Sequence, residues 1–432
     1  MDERSLTSGR ILRFWLPLAA TWLMMAVEGP FLAAVIARLG EPTYNLAAYG
    51  VAFSLALVIE APVIMIMSAS TALARDRLAY RRLRNFTYAL NFLMTSAMAL
   101  VLLPPVFTWV AQGLMGLPSE VASRTHVALL ILLPWPGTIG TRRFYHGVLI
   151  RNGLTRRVAY GTVVRLSSMA ATAALLALHG GLQGAWVGAA ALSAGVTCEA
   201  ITSRLMAHST IHKLLRTEPE SPGTAMSYAA ISRFYYPLAL TTLLSLGIHP
   251  VVTFVVGNSR GALESLAVLP VIGSLVFIFR SLGLAYQEVV IALIGQEREG
   301  YPTLRRFALV LAVAVATGLM VLAWTPLATV WFRQISGLSA ELAQFALVPT
   351  RILAVIPGLT AVLSFQRAVM VVRNTTDKVT WATLIEVVGV VAVLWIGIAR
   401  FHAIGAVAAA AALVLGRIGA NLYLLPALKK AK

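Results

Sequence analysis

The chain has 432 residues, of which 59% are hydrophobic and only 12% are charged, and its formal net charge is +18. A soluble globular domain carries about 25% charged residues, so this composition excludes a soluble globule and indicates an integral membrane protein. Nucleic-acid binding would need the basic residues gathered on one folded surface, whereas here they are spread over short connections between apolar stretches. The positive charge therefore predicts contact with anionic membrane lipid and no nucleic-acid partner.

Apolar stretches long enough to cross a bilayer as helices, about 20 residues each, recur along the whole sequence. Twelve are predicted, numbered spans 1 to 12 in chain order: 11–37, 44–74, 84–112, 121–149, 157–178, 182–206, 230–257, 263–294, 304–332, 340–371, 378–399 and 403–427. We therefore expect an all-α integral membrane protein with twelve transmembrane helices.

The basic residues indicate the orientation of these spans. Both termini and the even-numbered connections carry most of them, including the run at 75–84 and the pair Arg142 and Arg143. The odd-numbered connections carry little more than Arg38, Arg124, Arg260, Arg333 and Arg400. Because cytoplasmic loops are enriched in Lys and Arg, both termini are predicted to be cytoplasmic. The expected location is the plasma membrane, which in a bacterium is the inner membrane.

The second half of the sequence repeats the first. The segment 13–19, RFWLPLA, returns at 233–239 as RFYYPLA, an offset of 220, and 83–86, LRNF, returns at 304–307 as LRRF, an offset of 221. Six spans start and end on the same side of a membrane, so the copies are related by an axis along the membrane normal. The sequence predicts two six-helix lobes, 1–207 and 230–432, in a parallel pseudo-twofold repeat joined by a cytoplasmic linker at 208–229.

Ionisable residues inside the predicted spans are the main candidates for function, because a charge at the bilayer centre costs about 2.5–3.5 kcal/mol on insertion scales. The repeat offset places Glu60 on Arg280 and Arg165 on Glu386. We predict that Glu60 and Arg280 face a central cavity, where they either form a cross-lobe ion pair or bind an anionic substrate and its counter-charge or coupled proton. The alternative is that each charge pairs within its own lobe. Arg165 and Glu386 are predicted to form a cytoplasmic gate or to be packing residues.

Two more candidates adjoin prolines that the repeat matches, Pro30 and Pro250. Proline bends a helix by removing a backbone donor, so this pair is predicted to act in gating, although prolines are also common in membrane helices. Glu28 and His249 precede these prolines and can contact substrate or titrate; His249 can equally be a packing residue. Arg351 is a further, weaker substrate-binding candidate, since its repeat mate is uncharged.

Signatures of enzymes and metal sites are missing from the sequence. It contains no H-E-x-x-H, G-x-S-x-G or P-loop motif and a single cysteine, Cys198. We expect no enzymatic activity, no cofactor and no bound metal. A transporter and a membrane scaffold remain, and a scaffold would tolerate joint neutralisation of the paired charges.

Short motifs resemble a known group of transporters. The segment Arg13-Phe14-x-x-Pro17-Leu18 and its echo at 233–238 resemble the multidrug/oligosaccharide-lipid/polysaccharide (MOP) superfamily, which contains the MATE exporters. Within it, the chain is most similar to the progressive ankylosis (ANK) family, at 46–55, 249–252, 324–326 and 348–352. The resemblance implies a MATE-like fold of two bundles that open alternately to either side, and export of small organic anions such as citrate, nucleotide or pyrophosphate.

These observations predict a secondary active transporter that exports a small organic anion by alternating access, with a proton or sodium ion as a coupling partner. Two alternatives stay open. One is a MATE-type cation or drug exporter that relies on Glu28 and Glu60, and the other is a lipid-linked oligosaccharide flippase.

Overall fold

The computed structural model describes residues 6–216, 227–294, 300–373 and 375–429, and these are helical almost throughout. Helices satisfy every backbone hydrogen bond internally, as an apolar membrane-spanning chain requires. Within these described ranges, ten helices are long and apolar enough to cross a membrane, and an eleventh candidate is the pair Arg77–Val101 and Pro104–Leu114, bent by 72°. The prediction of an all-α, multi-pass membrane fold is confirmed.

The predicted span 4 is not among these candidates. It is divided into Ser119–Ile131 and Trp135–Arg151, with Pro134 and Pro136 at the break and the buried Arg142 in its second half. Its repeat mate, span 10, is divided in the same place, into Ala340–Leu353 and Ile356–Val372. The twelfth crossing therefore stays a prediction.

The described helices form two compact units. Unit N comprises residues 39–254 and unit C comprises residues 1–38 together with 255–432. The α-helices of unit N are Pro42–Ile64, Ile66–Leu73, Arg77–Val101, Pro104–Thr108, Ser119–Ile131, Trp135–Arg151, Thr155–His179, Gly184–Met206, His208–Arg216 and most of Tyr228–Gly257. Those of unit C are Ser8–Ala26, Glu28–Ala37, Ala262–Leu293, Tyr301–Trp324, Leu327–Thr329, Ala340–Leu353, Ile356–Val372, Thr376–Ala399 and Gly405–Lys429.

Span 1 packs in unit C and span 7 in unit N. In unit C, the Trp15 indole N–H donates to the Leu282 carbonyl at 3.1 Å, and its ring meets Phe307 edge-on. In unit N, the Tyr235 hydroxyl donates to the Pro62 carbonyl. Trp15 and Tyr235 are repeat mates, and so are Leu282 and Pro62, so the two copies have exchanged their first spans. The predicted boundaries at 207 and 230 describe the repeat in the sequence, whereas the compact units group the spans differently.

The repeat is also visible in irregular backbone. Each copy contains one π-helix, Trp109–Leu114 in unit N and Val330–Ile335 in unit C, at an offset of 221 residues. Each π-helix is followed by a glycine with a left-handed backbone, Gly116 at φ 63° and Gly337 at φ 74°. Glycine adopts this conformation without the steric cost that a β-carbon brings, so the same turn is kept in both copies.

The two matched prolines do not have matching effects. Span 1 is interrupted at Val27, between Ser8–Ala26 and Glu28–Ala37; Pro30 has no N–H to donate to the carbonyl four residues earlier, at Ala26. Helix Tyr228–Gly257, in contrast, continues through Pro250. Only one of the two predicted bending elements therefore interrupts its helix.

The first part of the predicted linker is helical, since His208–Arg216 forms a short helix. Leu214 and Thr210 are its buried residues, and Lys213 and Arg216 lie in its last turn. Residues 217–226 of the predicted linker lie outside the described ranges.

The packing of span 1 in unit C can be tested by cross-linking. A β-carbon added at Gly29 would lie 2.8 Å from that of Ser274. The two β-carbons of a disulfide are roughly 3.5–4.5 Å apart, so a small outward shift of either helix would allow a disulfide to form. In a Cys198→Ser background, Gly29→Cys with Ser274→Cys is expected to oxidise to a disulfide, measured by gel shift after protease nicking in the linker. Gly29→Cys with Ser281→Cys, two turns and about 10 Å further along the helix, should stay reduced. Equal oxidation of both pairs, or of neither, would contradict this packing.

Candidate functional site: two buried charge clusters

The interior of unit N holds an ion-pair network centred on Glu199, which is fully buried. The Arg142 guanidinium donates to Glu199 Oε2 at 2.7 Å, and Arg165 lies 3.7 Å from the same oxygen. His146 Nε2 lies 3.7 Å from Oε1 and 2.9 Å from the Ser203 hydroxyl. A buried carboxylate is tolerated when it is both paired and hydrogen-bonded, and spans 4, 5 and 6 together meet that condition.

Glu60, on span 2, belongs to the same network. The residue is 5% exposed, and its carboxylate accepts a hydrogen bond from the indole N–H of Trp135. The positive charges of Arg143, Arg142 and Arg165 act on it across the interior of the unit. We call Glu60, Arg142, Arg143, His146, Arg165 and Glu199 the N cluster.

Unit C holds a second network, the C cluster, defined as Arg280, Arg367, Glu386 and Arg417. Arg417 binds Glu386 Oε1 twice, at 2.8 Å from Nε and 2.7 Å from Nη2. Its third donor, Nη1, reaches the Thr360 hydroxyl at 3.0 Å. Arg417 is therefore held by two acceptors and makes the strong pair of this cluster.

Arg367 and Arg280 are held less completely. Arg367 Nη2 lies 3.8 Å from Glu386 Oε2 and 3.2 Å from the Thr383 hydroxyl. The Nε–H groups of Arg367 and Arg280 are buried and have no hydrogen-bond partner in the described part of the chain. Arg280 is influenced by the charges of Arg417, Glu386 and Arg367. The C cluster therefore contains donors that the protein leaves unused.

Three positions of the two clusters are related by the repeat, and at two of them the charges are exchanged. Glu60 corresponds to Arg280 and Arg165 to Glu386, and a third pair, His146 and Arg367, lies at the same offset of 221. The sequence prediction missed this third pair and assigned Arg142 and Arg143 to a cytoplasmic connection. That assignment is wrong: both lie in helix Trp135–Arg151, and Arg142 is 7% exposed.

The predicted pairs are distributed between the units. Glu60 and Arg165 lie in unit N, and Arg280 and Glu386 lie in unit C. Each of these charges is influenced by opposite charges in its own unit, which is the alternative that the sequence left open. A cross-lobe role for Glu60 with Arg280, or for Arg165 with Glu386, stays a prediction.

The other predicted site residues lie elsewhere. Glu28 is buried in the first turn of Glu28–Ala37 in unit C, and His249 is exposed on span 7 in unit N. The Arg351 guanidinium lies over the Trp324 ring at 6.0 Å, and its Nε donates to the Ala323 carbonyl at 3.2 Å. Arg351 thus links spans 9 and 10, so its contacts are those of a packing residue.

Both clusters carry more positive than negative side chains. The N cluster has three arginines against two carboxylates, and the C cluster has three arginines against one. An uncompensated charge inside a membrane protein is expensive, so surplus arginines favour an anionic partner. No group of His, Cys, Asp and Glu suited to a metal ion occurs among the described residues.

No protein-family model matches the sequence, and no curated protein matches it, but solved structures do. An inward-facing multidrug resistance MATE family transporter of the MOP superfamily is 17% identical, with a TM-score of 0.76 over 96% of this chain and 99% of that one. The lipid II flippase MurJ, in an inward closed conformation, is 15% identical, with a TM-score of 0.74 over 96% and 87%. A MOP superfamily transporter from Pyrococcus furiosus is 16% identical, with a TM-score of 0.62 over 97% and 95%.

These likenesses extend over nearly the whole chain and show that it has a MATE-like fold. At such identities they show the fold alone, since one fold hosts many functions. The function has to be argued from the charge clusters.

Proposed function

We propose that the protein is a secondary active transporter that exports small organic anions by alternating access. The observation that carries this proposal is the surplus of buried arginine in the C cluster, where Arg280, Arg367 and Arg417 face a single carboxylate, Glu386. Membrane transporters commonly bind substrate near the bilayer midplane, and Arg280 lies inside the long helix Ala262–Leu293 rather than at its end.

The structural neighbours support the transporter class. The MATE and MOP proteins are transporters and MurJ is a lipid flippase, so all of them move a solute or lipid across a membrane. The Pyrococcus furiosus protein is described as having a binding pocket of reverse polarity, which suggests a different function for that protein. Pocket polarity therefore varies within this fold, and the arginine-rich C cluster is compatible with it.

In this proposal Arg280 binds the anion and Glu60 provides a counter-charge or carries a coupled proton. The likeness to the ANK family, with citrate, nucleotide or pyrophosphate as substrate, is part of the proposal, and so are the plasma-membrane location and cytoplasmic termini. The gating roles of Arg165, Glu386, Pro30 and Pro250 are proposals of the same kind.

A cation exporter of the MATE type is the second candidate, because Glu60 and Glu28 are both buried carboxylates. The N cluster argues against it, since three arginines surround Glu60 and lower the local affinity for a cation. A lipid flippase is the third candidate and rests on the likeness to MurJ.

Wild-type protein in proteoliposomes separates the three candidates. We expect uptake of labelled citrate or ATP that requires the protein and responds to a proton gradient, and no uptake of a cationic dye. Uptake of the dye alone would replace the proposal by a cation exporter. Movement of a fluorescent anionic lipid between the two leaflets, without uptake of any soluble anion, would replace the proposed anion exporter by a flippase.

A further inference from the structure

We propose that the C cluster is a binding site, inside unit C, for a compact oxyanion group with two negative charges, such as a phosphate monoester, a sulfate or a closely spaced dicarboxylate. This proposal identifies the chemical group that the proposed transporter would recognise in its substrate. Only the role of the site in transport rests on the proposed function. The binding itself follows from the cluster alone.

The charge balance sets the valence of the ligand. Three arginines and one glutamate leave two positive charges among the four members of the cluster. Glu386 is already bound to Arg417 through two nitrogens on one oxygen, so Arg367 has only a longer contact of 3.8 Å with its other oxygen, and the same single carboxylate also acts on Arg280. A doubly charged anion would bring the cluster to neutrality, whereas chloride or nitrate would neutralise half of the surplus.

The unpaired hydrogen-bond donors of the cluster determine which kind of anion it would bind. Arg280 Nε and Arg367 Nε are buried and unpaired among the described residues, and a buried donor without an acceptor is destabilising because it has lost its hydrogen bonds to water. An anionic acceptor with several oxygens removes that destabilisation at both positions. Guanidinium groups pair with the oxygens of phosphate and carboxylate in a bidentate manner, which favours an oxyanion over a spherical halide.

The cluster is accessible from outside the unit. The Arg367 side chain is 26% exposed, compared with 12% for Glu386 and 13% for Arg417. Arg367 is therefore the most exposed of these three side chains. The hydroxyls of Thr383 and Thr360 each hold one arginine by a single hydrogen bond, so the two guanidinium groups are oriented before any ligand arrives.

The neighbouring unit provides an internal comparison. In the N cluster the position of Arg367 is occupied by His146, and that of Arg280 by Glu60. His146 is bound to Ser203 and Glu60 to Trp135, so these two groups already have partners. Arg142 and Arg143 of the N cluster also carry buried Nε–H groups without a hydrogen-bond partner among the described residues, but with two carboxylates against three arginines that cluster has a surplus of one positive charge. The site for a doubly charged oxyanion is therefore assigned to unit C.

Equilibrium binding of labelled sulfate to the purified full-length protein in detergent tests this assignment, with nitrate as the singly charged competitor. We expect sulfate to bind at least tenfold more tightly than nitrate, and Arg280→Gln and Arg367→Gln each to weaken sulfate binding at least tenfold. Glu386→Gln is expected to strengthen it, because this change removes the competing internal carboxylate. Arg351→Gln, an arginine of the same unit outside the cluster, should leave binding unchanged.

Three results would overturn the site: no sulfate binding, equal binding of sulfate and nitrate, or equal loss in Arg351→Gln and Arg280→Gln. Arg367→His, which copies the residue of the repeat mate, replaces Arg367→Gln if that variant does not fold. Sulfate binding that depends on Arg280 and Arg367, combined with no anion uptake in proteoliposomes, would leave the site standing and reject the proposed transport.

The same group can come from a soluble anion or from a lipid headgroup. Sulfate binding is therefore repeated in nanodiscs with and without phosphatidic acid. Competition by phosphatidic acid would assign the site to a lipid headgroup, whereas binding that is unaffected by this lipid would assign it to a soluble anion.

Discussion

Replacing Glu199 with leucine is expected to destabilise unit N more than any other single change considered. Glu199 is fully buried and bound to Arg142 at 2.7 Å, with Arg165 and His146 close by. Removing one partner of a buried ion pair costs about 3–5 kcal/mol, because the other charge stays buried without compensation. Thermal unfolding of the purified Glu199→Leu variant in detergent should therefore occur at a much lower temperature than that of wild type.

The control for this change is Glu120→Leu in the same unit. The Glu120 side chain is 59% exposed, and its partner Arg124 also binds Glu41. The Arg124 side chain is 6% exposed, but it keeps Glu41 as a partner when Glu120 is replaced, so this variant should unfold close to wild type. The double variant Arg142→Leu with Glu199→Leu should recover part of the stability. If Glu199→Leu and Glu120→Leu unfold at the same temperature, the N cluster does not stabilise the unit as described.

The second large effect concerns transport. Arg280→Gln is expected to reduce anion uptake by about 100-fold, since truncating one partner of a buried charge pair costs about 2–5 kcal/mol. Glutamine keeps a hydrogen-bonding amide of similar length and removes the charge, so the loss reports the charge. Initial rates of labelled citrate uptake over a range of concentrations separate a weaker affinity from a slower turnover.

Arg351→Gln is the matched control for this experiment. Arg351 is also an arginine within a membrane-spanning helix of unit C, but it contacts the Trp324 ring and the Ala323 carbonyl. Anion uptake by the Arg351→Gln variant should stay within a few-fold of that by wild type when equal amounts of folded protein are compared. Equal losses in the two variants would mean that Arg280 acts through the stability of the unit and not through substrate.

Much of the fold could be predicted from the sequence because the signals are local or repeated. Hydropathy marks the spans, and the offset of 220–221 residues identifies the two copies. The π-helices and the turns at Gly116 and Gly337 then recur at that same offset.

The exchange of spans 1 and 7 could not be predicted, and the reason is physical. Trp15 and Tyr235 are both aromatic residues with one donor, and each finds an equivalent carbonyl, at Leu282 and Pro62 respectively. Because the copies offer nearly the same contacts, the sequence does not distinguish a span packed in its own half from one packed in the other.

The charge clusters could be predicted in part. The offset of the repeat shows that Glu60 is related to Arg280 and that Arg165 is related to Glu386. It did not identify Arg142 as the partner of Glu199, since that pairing joins spans 4 and 6 and depends on how the helices pack. Arg367 was missed because it lies five residues from the end of helix Ile356–Val372, where an arginine is expected to reach the membrane surface.

The measurement that tests the central claim most directly compares two single-charge variants in the same proteoliposomes, Arg280→Gln and Glu60→Gln, for uptake of labelled citrate and of a cationic dye. We expect Arg280→Gln to show the roughly 100-fold reduction in citrate uptake that truncation of a buried charge pair predicts, and Glu60→Gln to retain uptake with a weaker response to the proton gradient. Dye uptake that is lost in Glu60→Gln and unaffected in Arg280→Gln would contradict anion export and indicate a cation exporter.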